Sequence, residues 1–251
     1  MEINRETEIL LMEYADKYEN ADFLVGDPSW FMHQVSGDRN REAMAWMASV
    51  LSYGSRAQFL PKIQHLLDLS CGEPQEWLAD GAYKTCFRPD DTTCFYRLYN
   101  RGLMYAFFEA CRELILEYGS LGEFAEAHSH DAFSAVDALC SYFSGKGLAV
   151  IVPKDAKSAC KRVCMFLRWM VRSGSPVDLG LWSSFIDRRS LIMPLDTHVL
   201  TEAGKLGLVK SRNASMGAAL KLTASMAQIF PEDPLKGDFA LFGYGVNQSR
   251  D

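Results

Sequence analysis

The sequence predicts an all-α protein large enough to bury a substantial core. Apolar residues recur with the 3.6-residue spacing of amphipathic helices in most segments of the chain. Evidence for strands is confined to Leu148–Val152, and the chain offers this segment no partner of similar quality. The chain has 251 residues, of which 48% are apolar and 23% charged, which is typical of a globular protein and excludes a disordered one.

Six helices are predicted in the first part of the chain. The opening helix carries Ile9, Leu10 and Met12 among acidic residues, and the second carries Trp46 and buried neighbours before a stop at residues 53–55. The longest regular stretch has a break near Gly102. The predicted ranges are 6–18, 39–51, 57–69, 95–118, 121–127 and 132–143.

Four more helices are predicted in the second part. The range 156–172 has the clearest amphipathic pattern, and Gly207 is suited to the position that follows the helix 197–206. The last two ranges are 215–229 and 238–242. No internal repeat or linker divides the chain, so we expect one domain over residues 1–251 with two lobes and a lobe boundary near 145–153.

Composition restricts the classes of function. The net charge of −6 argues against a dedicated nucleic-acid binder, although a local basic face can bind phosphates on an acidic protein. No apolar run approaches the ~20 residues of a membrane span, so no membrane partner is expected. Met1–Glu6 is charged and unlike a secretory signal, and the odd number of seven cysteines includes no CxxC pair. We therefore expect a cytoplasmic protein with reduced thiols, no iron–sulfur cluster and no other cofactor.

A concentration of cations marks the segment 154–172. If this segment is one helix, five of its cations fall within an arc of about 60°, with Trp169 beside them. Such a face suits a phosphate backbone and a stacked base, but the cations could equally pair with acids elsewhere. Including one histidine from a later segment, the candidate nucleic-acid contacts are Lys154, Lys157, Arg162, Arg168, Trp169, Arg172 and His198.

A second candidate site precedes the helix 197–206. Asp196 stands at the N-cap position, where a carboxylate accepts backbone N–H bonds. One reading is that Asp196 only caps the helix and that His198 only bonds a nearby carbonyl. The other reading is that both residues belong to a functional site.

Pro194–Val199, followed by Leu206-Gly207-Leu208, resembles the segment that carries the catalytic aspartate in helix–hairpin–helix DNA glycosylases. The whole chain more closely resembles a bacterial family defined as a domain of unknown function. That resemblance rests on signatures at residues 27–31, 38–42, 53–54, 95–97, 160–172, 178–182 and 233–243.

The glycosylase resemblance implies a two-lobed helical fold and base excision in DNA repair. Asp196 would stabilise positive charge on the sugar after the damaged base has flipped into a pocket. The archaeal branch specific for oxidised guanine has its catalytic lysine well upstream of the aspartate, and Lys161 matches it, while a phosphate contact is the other interpretation of Lys161. We therefore expect the Asp196 carboxylate and the Lys161 amine within about 10 Å of each other in one cleft. The chain departs from the common pattern at Pro176–Leu179, which lacks a Gly-x-Gly hairpin and a lysine, and at Thr201, where relatives often have arginine.

Two rival readings remain. A non-catalytic module that binds nucleic acid or protein is favoured by the missing hairpin glycines. A metal phosphohydrolase is suggested by His65 and by His128 to Asp131, but the spacing of the histidines is not that of metal ligands, so no metal is expected. Arg97 is interpreted as half of a buried structural pair, and Asp233 and Asp238 as residues that cap the last helix.

Overall fold

A computed structural model describes residues 3–211 and 213–248, with side chains as far as residue 245. The all-α prediction is confirmed, because helices dominate and a single two-stranded sheet is present among the described residues. The α-helices are α1 (Arg5–Tyr18), α2 (Asp38–Leu51), α3 (Arg56–Leu69), α4 (Pro74–Ala79), α5 (Arg101–Tyr118), α6 (Leu121–His128), α7 (Ala132–Gly145), α8 (Lys161–Val171), α9 (Thr197–Lys205), α10 (Met216–Ile229) and α11 (Lys236–Gln248). Short 3-10 helices cover Ala21–Leu24, Pro28–His33, Ala82–Thr85 and Arg188–Ser190. The strands are β1 (Cys94–Tyr96) and β2 (Tyr99–Asn100).

The prediction of one helix over 95–118 is wrong at its start. β1 and β2 form an antiparallel hairpin, and α5 begins only after Asn100. The Asn100 side chain accepts a hydrogen bond from the Leu103 N–H (2.7 Å), which caps the helix there. The aromatic residues before Asn100 favour a strand, and a helical spacing of apolar residues cannot exclude one over so short a stretch.

The predicted helix 156–172 is also too long. Helix α8 begins at Lys161, because Cys160 adopts a left-handed conformation with φ of 45°. Ser158 instead forms a bridge with Ser215. Lys154 and Lys157 therefore precede the helix, and the five-cation face predicted for one helix does not exist. The suspected strand Leu148–Val152 consists of turns.

The chain forms two compact units, and α7 contributes to both. The first unit contains the described residues within 1–25, 131–136 and 156–251, and the second those within 26–130 and 137–155. A lobe boundary near 145–153 within one domain remains a prediction.

The core of the second unit is aromatic. Trp46 of α2 packs 5.2 Å from the ring of Phe143 and 6.5 Å from that of Phe107. Phe108 of α5 lies 5.0 Å from the ring of Trp77 in α4. Because α2 is buried along almost its whole length, the helices around it are fixed by burial of large apolar surfaces.

The first unit is built around α8, whose residues from Val163 to Val171 are all buried. α1 packs closely on α11: a Cβ atom added at Gly243 would run into the ring of Tyr18. α9 also packs on α11. Asp238, in the first turn of α11, forms an ion pair with Arg168 of α8. No described helix has the length and apolar composition needed to cross a bilayer.

Candidate functional site

Lys161 and Asp196 come together in the first unit. Lys161 is the first residue of α8, and Asp196 is the residue that caps α9. The distance from Lys161 Nζ to Asp196 Oδ2 is 4.0 Å, and the two side chains are 32% and 43% exposed. The predicted distance of about 10 Å or less is confirmed, the single cleft expected around the two groups stays a prediction, and both side chains are partly exposed to solvent.

The position of Asp196 is fixed by its own helix. Its Oδ1 atom accepts hydrogen bonds from the N–H groups of His198 (3.0 Å) and Val199 (2.9 Å). The capping role is therefore present in the structure. The cap uses Oδ1 alone, and Oδ2 faces Lys161. The capping hydrogen bonds therefore orient the carboxylate toward the lysine.

Arg168 and Arg172 are buried and were misplaced by the helical-wheel prediction. Their side chains are only 4% and 2% exposed, and Trp169 is completely buried. They contact four carboxylates instead of presenting a face to solvent, and three of the four come from distant segments of the chain. A phosphate role for the two arginines and a stacking role for Trp169 therefore have no geometric support.

Arg172 is the centre of this buried network. Its Nε and Nη2 atoms donate to both carboxylate oxygens of Asp233 (2.9 and 2.8 Å). Its Nη1 donates to Asp178 (2.5 Å), and Nη2 donates also to Glu19 (2.7 Å). Burial by itself would lower the pKa of Arg172, but hydrogen bonding to Asp233 and the charges of Asp178, Asp233 and Glu19 raise it above its ordinary value. Arg172 therefore stays charged.

Asp178 joins the two arginines. Its fully buried carboxylate accepts from Arg168 Nε (3.2 Å) through Oδ1 and from Arg172 through Oδ2. Burial raises the pKa of Asp178 more than the two guanidinium groups lower it. Asp178 comes from the segment 178–182, which the sequence marks as a family signature without indicating its partner.

Asp238 is the site residue that the sequence prediction missed. It lies in the first turn of α11 and accepts a hydrogen bond from Arg168 Nη1, and its side chain is 15% exposed. Burial raises the pKa of Asp238, against the opposing charge of Arg168, while the charges of Lys161 and Asp196 also act on it. Asp238 therefore lies near enough to Lys161 and Asp196 for their charges to affect its pKa, while its hydrogen bond goes to Arg168. The sequence shows only an aspartate at the start of the last helix, and a capping role explains that position equally well.

The other predicted contacts occupy more exposed positions. Lys154 is exposed and belongs to the second unit, while Lys157 is exposed and Arg162 half-buried in the first. His198 is exposed on α9, and a Cβ atom at Gly245 would lie 2.7 Å from its Nε2, so α11 approaches the imidazole closely. Of the predicted set, Lys157, Arg162 and His198 are the residues of the first unit with exposed or half-buried side chains.

A cleft and a histidine among the described residues lie outside the Lys161–Asp196 pair. A cleft of about 690 Å³ in the first unit is lined by Arg172, Asp233 and their neighbours, but not by Lys161 or Asp196. No group of three or more potential metal ligands is found in the part of the chain that the structure describes. His128 instead lies 2.9 Å from the Phe124 carbonyl oxygen through Nδ1 and stacks on the Phe124 ring.

Together these features define a helical protein in which a helix-capping aspartate faces a lysine, and in which the same unit contains a buried ion-pair network. The chain belongs to the family described as "Protein of unknown function (DUF2400)", whose model matches residues 27–247. Comparison with curated proteins and with solved structures gave no significant match.

Proposed function

We propose that the protein is a DNA glycosylase that excises a damaged base such as oxidised guanine, with a glycosylase-like helical fold. The observation that carries this proposal is the 4.0 Å approach of Lys161 Nζ to Asp196 Oδ2, both accessible to solvent. Glycosidic cleavage develops positive charge on a sugar carbon. A carboxylate can stabilise that charge, and a neighbouring lysine amine can attack that carbon. DNA is then the partner, and the resemblance to helix–hairpin–helix glycosylases supports the same assignment.

In the proposed reaction the damaged nucleotide leaves the base stack and its anomeric carbon lies next to Lys161. The bond from the sugar to the base breaks, and the base departs with the electron pair and takes up a proton. Asp196 stabilises the positive charge on the sugar. In a protein that also nicks the strand, the Lys161 ammonium gives its proton to the departing base, and the resulting amine forms the new bond to the sugar carbon. Loss of the amine proton and opening of the sugar ring then give an imine.

Three further polar side chains of the first unit can serve binding. Lys157 and Arg162 lie within four residues of Lys161 in sequence, and His198 lies two residues after Asp196. Contacts from such side chains to phosphate oxygens fix the position of the nucleic acid without reading its sequence.

The test is Asp196→Asn, assayed on duplexes that each contain one damaged base, beginning with oxidised guanine opposite cytosine. Asparagine keeps a capping oxygen, so the stability should change little, while base release should fall at least ~100-fold because the negative charge is lost. DNA binding should persist. Asp187→Asn is the matched control, because Asp187 also caps a short helix through the Arg189 N–H (2.9 Å).

The alternative is a non-catalytic module that binds nucleic acid or protein. It is favoured by residues 176–179, which lack the hairpin glycines and lysine of active relatives. The same assay separates the two proposals. Wild-type protein that binds DNA but releases no base from the whole panel supports the module, and unfolding of Asp196→Asn would show that Asp196 is structural.

A further inference from the structure

The cleft of the first unit lies at the opposite end of α8 from the Lys161–Asp196 pair. Lys161 begins α8, whereas Arg172, which follows the helix, lines the cleft. At a rise of ~1.5 Å per residue, the two positions are roughly 16 Å apart along the helix axis. All the lining residues belong to the first unit. The cleft is therefore separate from the site of the proposed reaction.

Two buried carboxylates line the cleft together with Arg172. The side chains of Glu19 and Asp233 are 10% and 11% exposed, and both pair with the Arg172 guanidinium (2.7 and 2.8 Å). Arg172 also pairs with Asp178, so three carboxylates share its single positive charge. Glu19 accepts from Arg172 through Oε1, and no described residue donates to its Oε2. The cleft therefore contains a carboxylate oxygen, on a side chain that is nine-tenths buried, that still needs a donor.

Exposed carboxylates extend this negative region. Asp16 lies three residues before Glu19 at the end of α1, a spacing that places two side chains on the same face of a helix. Asp16 and Glu232 both line the cleft at exposed positions, and neither forms an ion pair with a described residue. A group bound beside these carboxylates needs positive charge and several donors, and an ammonium group supplies both.

Two further cations line the same cleft. Lys236, half-buried at the start of α11, forms no ion pair with a described residue. Arg188 is also half-buried, and its Nε donates to the Glu232 carbonyl oxygen (3.0 Å). The Lys236 ammonium and the two Nη groups of Arg188 therefore have donors left for a carboxylate of a ligand. The cleft thus presents charges of both signs.

Part of the wall of the cleft is apolar. Ile229 is buried, and Phe230, which follows it, is half-buried. Pro176 and Pro231 also line the cleft. Its volume of about 690 Å³ lies within the range of roughly 300–1,000 Å³ that small-molecule sites occupy. A ligand that carries both charges and an apolar group fits this combination.

We propose that the cleft binds an α-amino acid with an apolar side chain. The ammonium group donates to the free oxygen of Glu19, the carboxylate accepts from Lys236 and Arg188, and the apolar side chain packs against Phe230. A ligand with charge of one sign leaves either the carboxylates or the cations of the cleft without a partner, whereas a zwitterion satisfies both. This binding involves neither DNA nor base release, so it does not rest on the proposed function.

Isothermal titration calorimetry of the whole protein tests the need for both charges. The probes are free leucine and free phenylalanine, together with two analogues of leucine. Leucinamide keeps the ammonium group but lacks the carboxylate, as does the N-terminus of a peptide, and 4-methylpentanoate keeps the carboxylate but lacks the ammonium group. The amino acids should bind, and each analogue should bind about tenfold more weakly than leucine or worse, because a charge-assisted hydrogen bond is lost.

Two variants assign the ligand's charged groups to their partners. Glu19→Gln keeps an oxygen that accepts from Arg172, and it should weaken leucine binding about tenfold without weakening the binding of 4-methylpentanoate. Glu13→Gln is the matched control, because Glu13 is an exposed acid of α1 that does not line the cleft.

Lys236→Met keeps the apolar stem of the lysine. It should weaken leucine binding about tenfold and leave the binding of leucinamide unchanged. Lys221→Met is the matched control, because Lys221 is an exposed lysine of α10 outside the cleft. The melting temperature shows whether each variant keeps the fold, and Lys236→Met decides the test if Glu19→Gln does not fold.

Three results would overturn the proposal. Wild-type protein that binds neither leucine nor phenylalanine has no such site. Leucinamide that binds as tightly as leucine would show that the cleft takes an amine or a peptide N-terminus instead of a free amino acid. Leucine affinity that is the same in Lys236→Met as in Lys221→Met would place the amino acid elsewhere. Each of these results leaves the glycosylase proposal standing, because no DNA is present in the titration.

Discussion

At Lys161, a role in chemistry can be distinguished from a role in the stability of the fold. Its side chain is part-exposed and meets Asp196 at 4.0 Å, which is a long contact for a solvent-accessible ion pair. Pairs of this kind contribute little to stability because water screens them. Removal of Lys161 should therefore leave the fold intact, and any loss of activity can be assigned to chemistry.

Covalent trapping tests whether the Lys161 amine reacts with the sugar. If Lys161 forms an imine with the sugar, borohydride should link wild-type protein to a damaged duplex, and Lys161→Ala should abolish that link. Lys205→Ala is the matched control, because Lys205 also lies beside a carboxylate, that of Glu202 (3.0 Å). Gel separation of protein–DNA adducts is the measurement.

Two outcomes would change the interpretation. Trapping by Lys161→Ala equal to that by wild type would show that another amine reacts. Base release by wild type without any trapping would indicate a glycosylase without lyase activity, in which Lys161 binds a phosphate.

The helices differ in how well the spacing of apolar residues predicts their boundaries. The spacing of apolar residues predicted most helices to within a few residues, because amphipathic periodicity reports directly on a buried face. It failed at residues 95–100, where an aromatic-rich stretch forms strands and Asn100 caps the following helix. It failed again at Cys160, whose left-handed backbone has no signature in the residue type.

The candidate site was predictable only in part, for a related reason. Asp196 and Lys161 were found because a motif and a resemblance pointed to them. The aligned arginines of α8 were also noticed, but a helical wheel cannot tell whether a charged stripe faces water or carboxylates from distant segments. Glu19 and Asp233 lie 153 and 61 residues from Arg172, so their pairing depends on the tertiary fold.

The prediction for α8 follows from this buried network. Arg172→Met should lower the free energy of unfolding by about 3–5 kcal/mol, because it removes the guanidinium that pairs with the buried Asp233 and leaves the buried Asp178 to Arg168. Arg189→Met is the control, since the exposed pair of Arg189 with Asp187 should contribute little that is measurable. Urea denaturation followed by circular dichroism compares the two.

This experiment also decides how the cationic segment is interpreted. If Arg172→Met is as stable as wild type but binds DNA less well, Arg172 contacts phosphate and the buried network is not the reason for its position. Loss of binding together with unfolding assigns Arg172 to structure.

At the scale of the whole molecule, charge is distributed unevenly. The net charge is −6, and the buried network of the first unit places four carboxylates around two guanidinium groups. Bringing excess negative charge into a medium of low dielectric constant is costly, and carboxyl groups relieve that cost by retaining protons. The raised pKa values of Asp178 and Asp238 are the expected response.

A raised pKa gives the stability a definite dependence on pH. The folded state holds the Asp238 proton more tightly than the unfolded chain, in which the pKa is near its ordinary value of 3.8. The contribution of Asp238 to stability is therefore fully present below that value and decreases as the pH rises through the raised pKa. The exposed Asp187 has the opposite sign, because hydrogen bonding from Arg189 lowers its pKa. Its small contribution is lost as the pH falls.

Asp238→Asn should therefore become more stable relative to wild type as the pH is raised above about 4, because asparagine is neutral at every pH and still accepts a hydrogen bond from Arg168. Urea denaturation of both proteins at several pH values from 4 to 8 measures the difference. Asp187→Asn, measured in the same series, should differ from wild type by a small and nearly constant amount, because the lowered pKa of Asp187 confines its effect on stability to lower pH. Parallel curves for wild type and Asp238→Asn would mean that Asp238 ionises in the folded protein as it does in the unfolded chain. The charge of Arg168 would then cancel the effect of burial on the pKa of Asp238. The excess negative charge of the network would have to be relieved at another of its carboxylates.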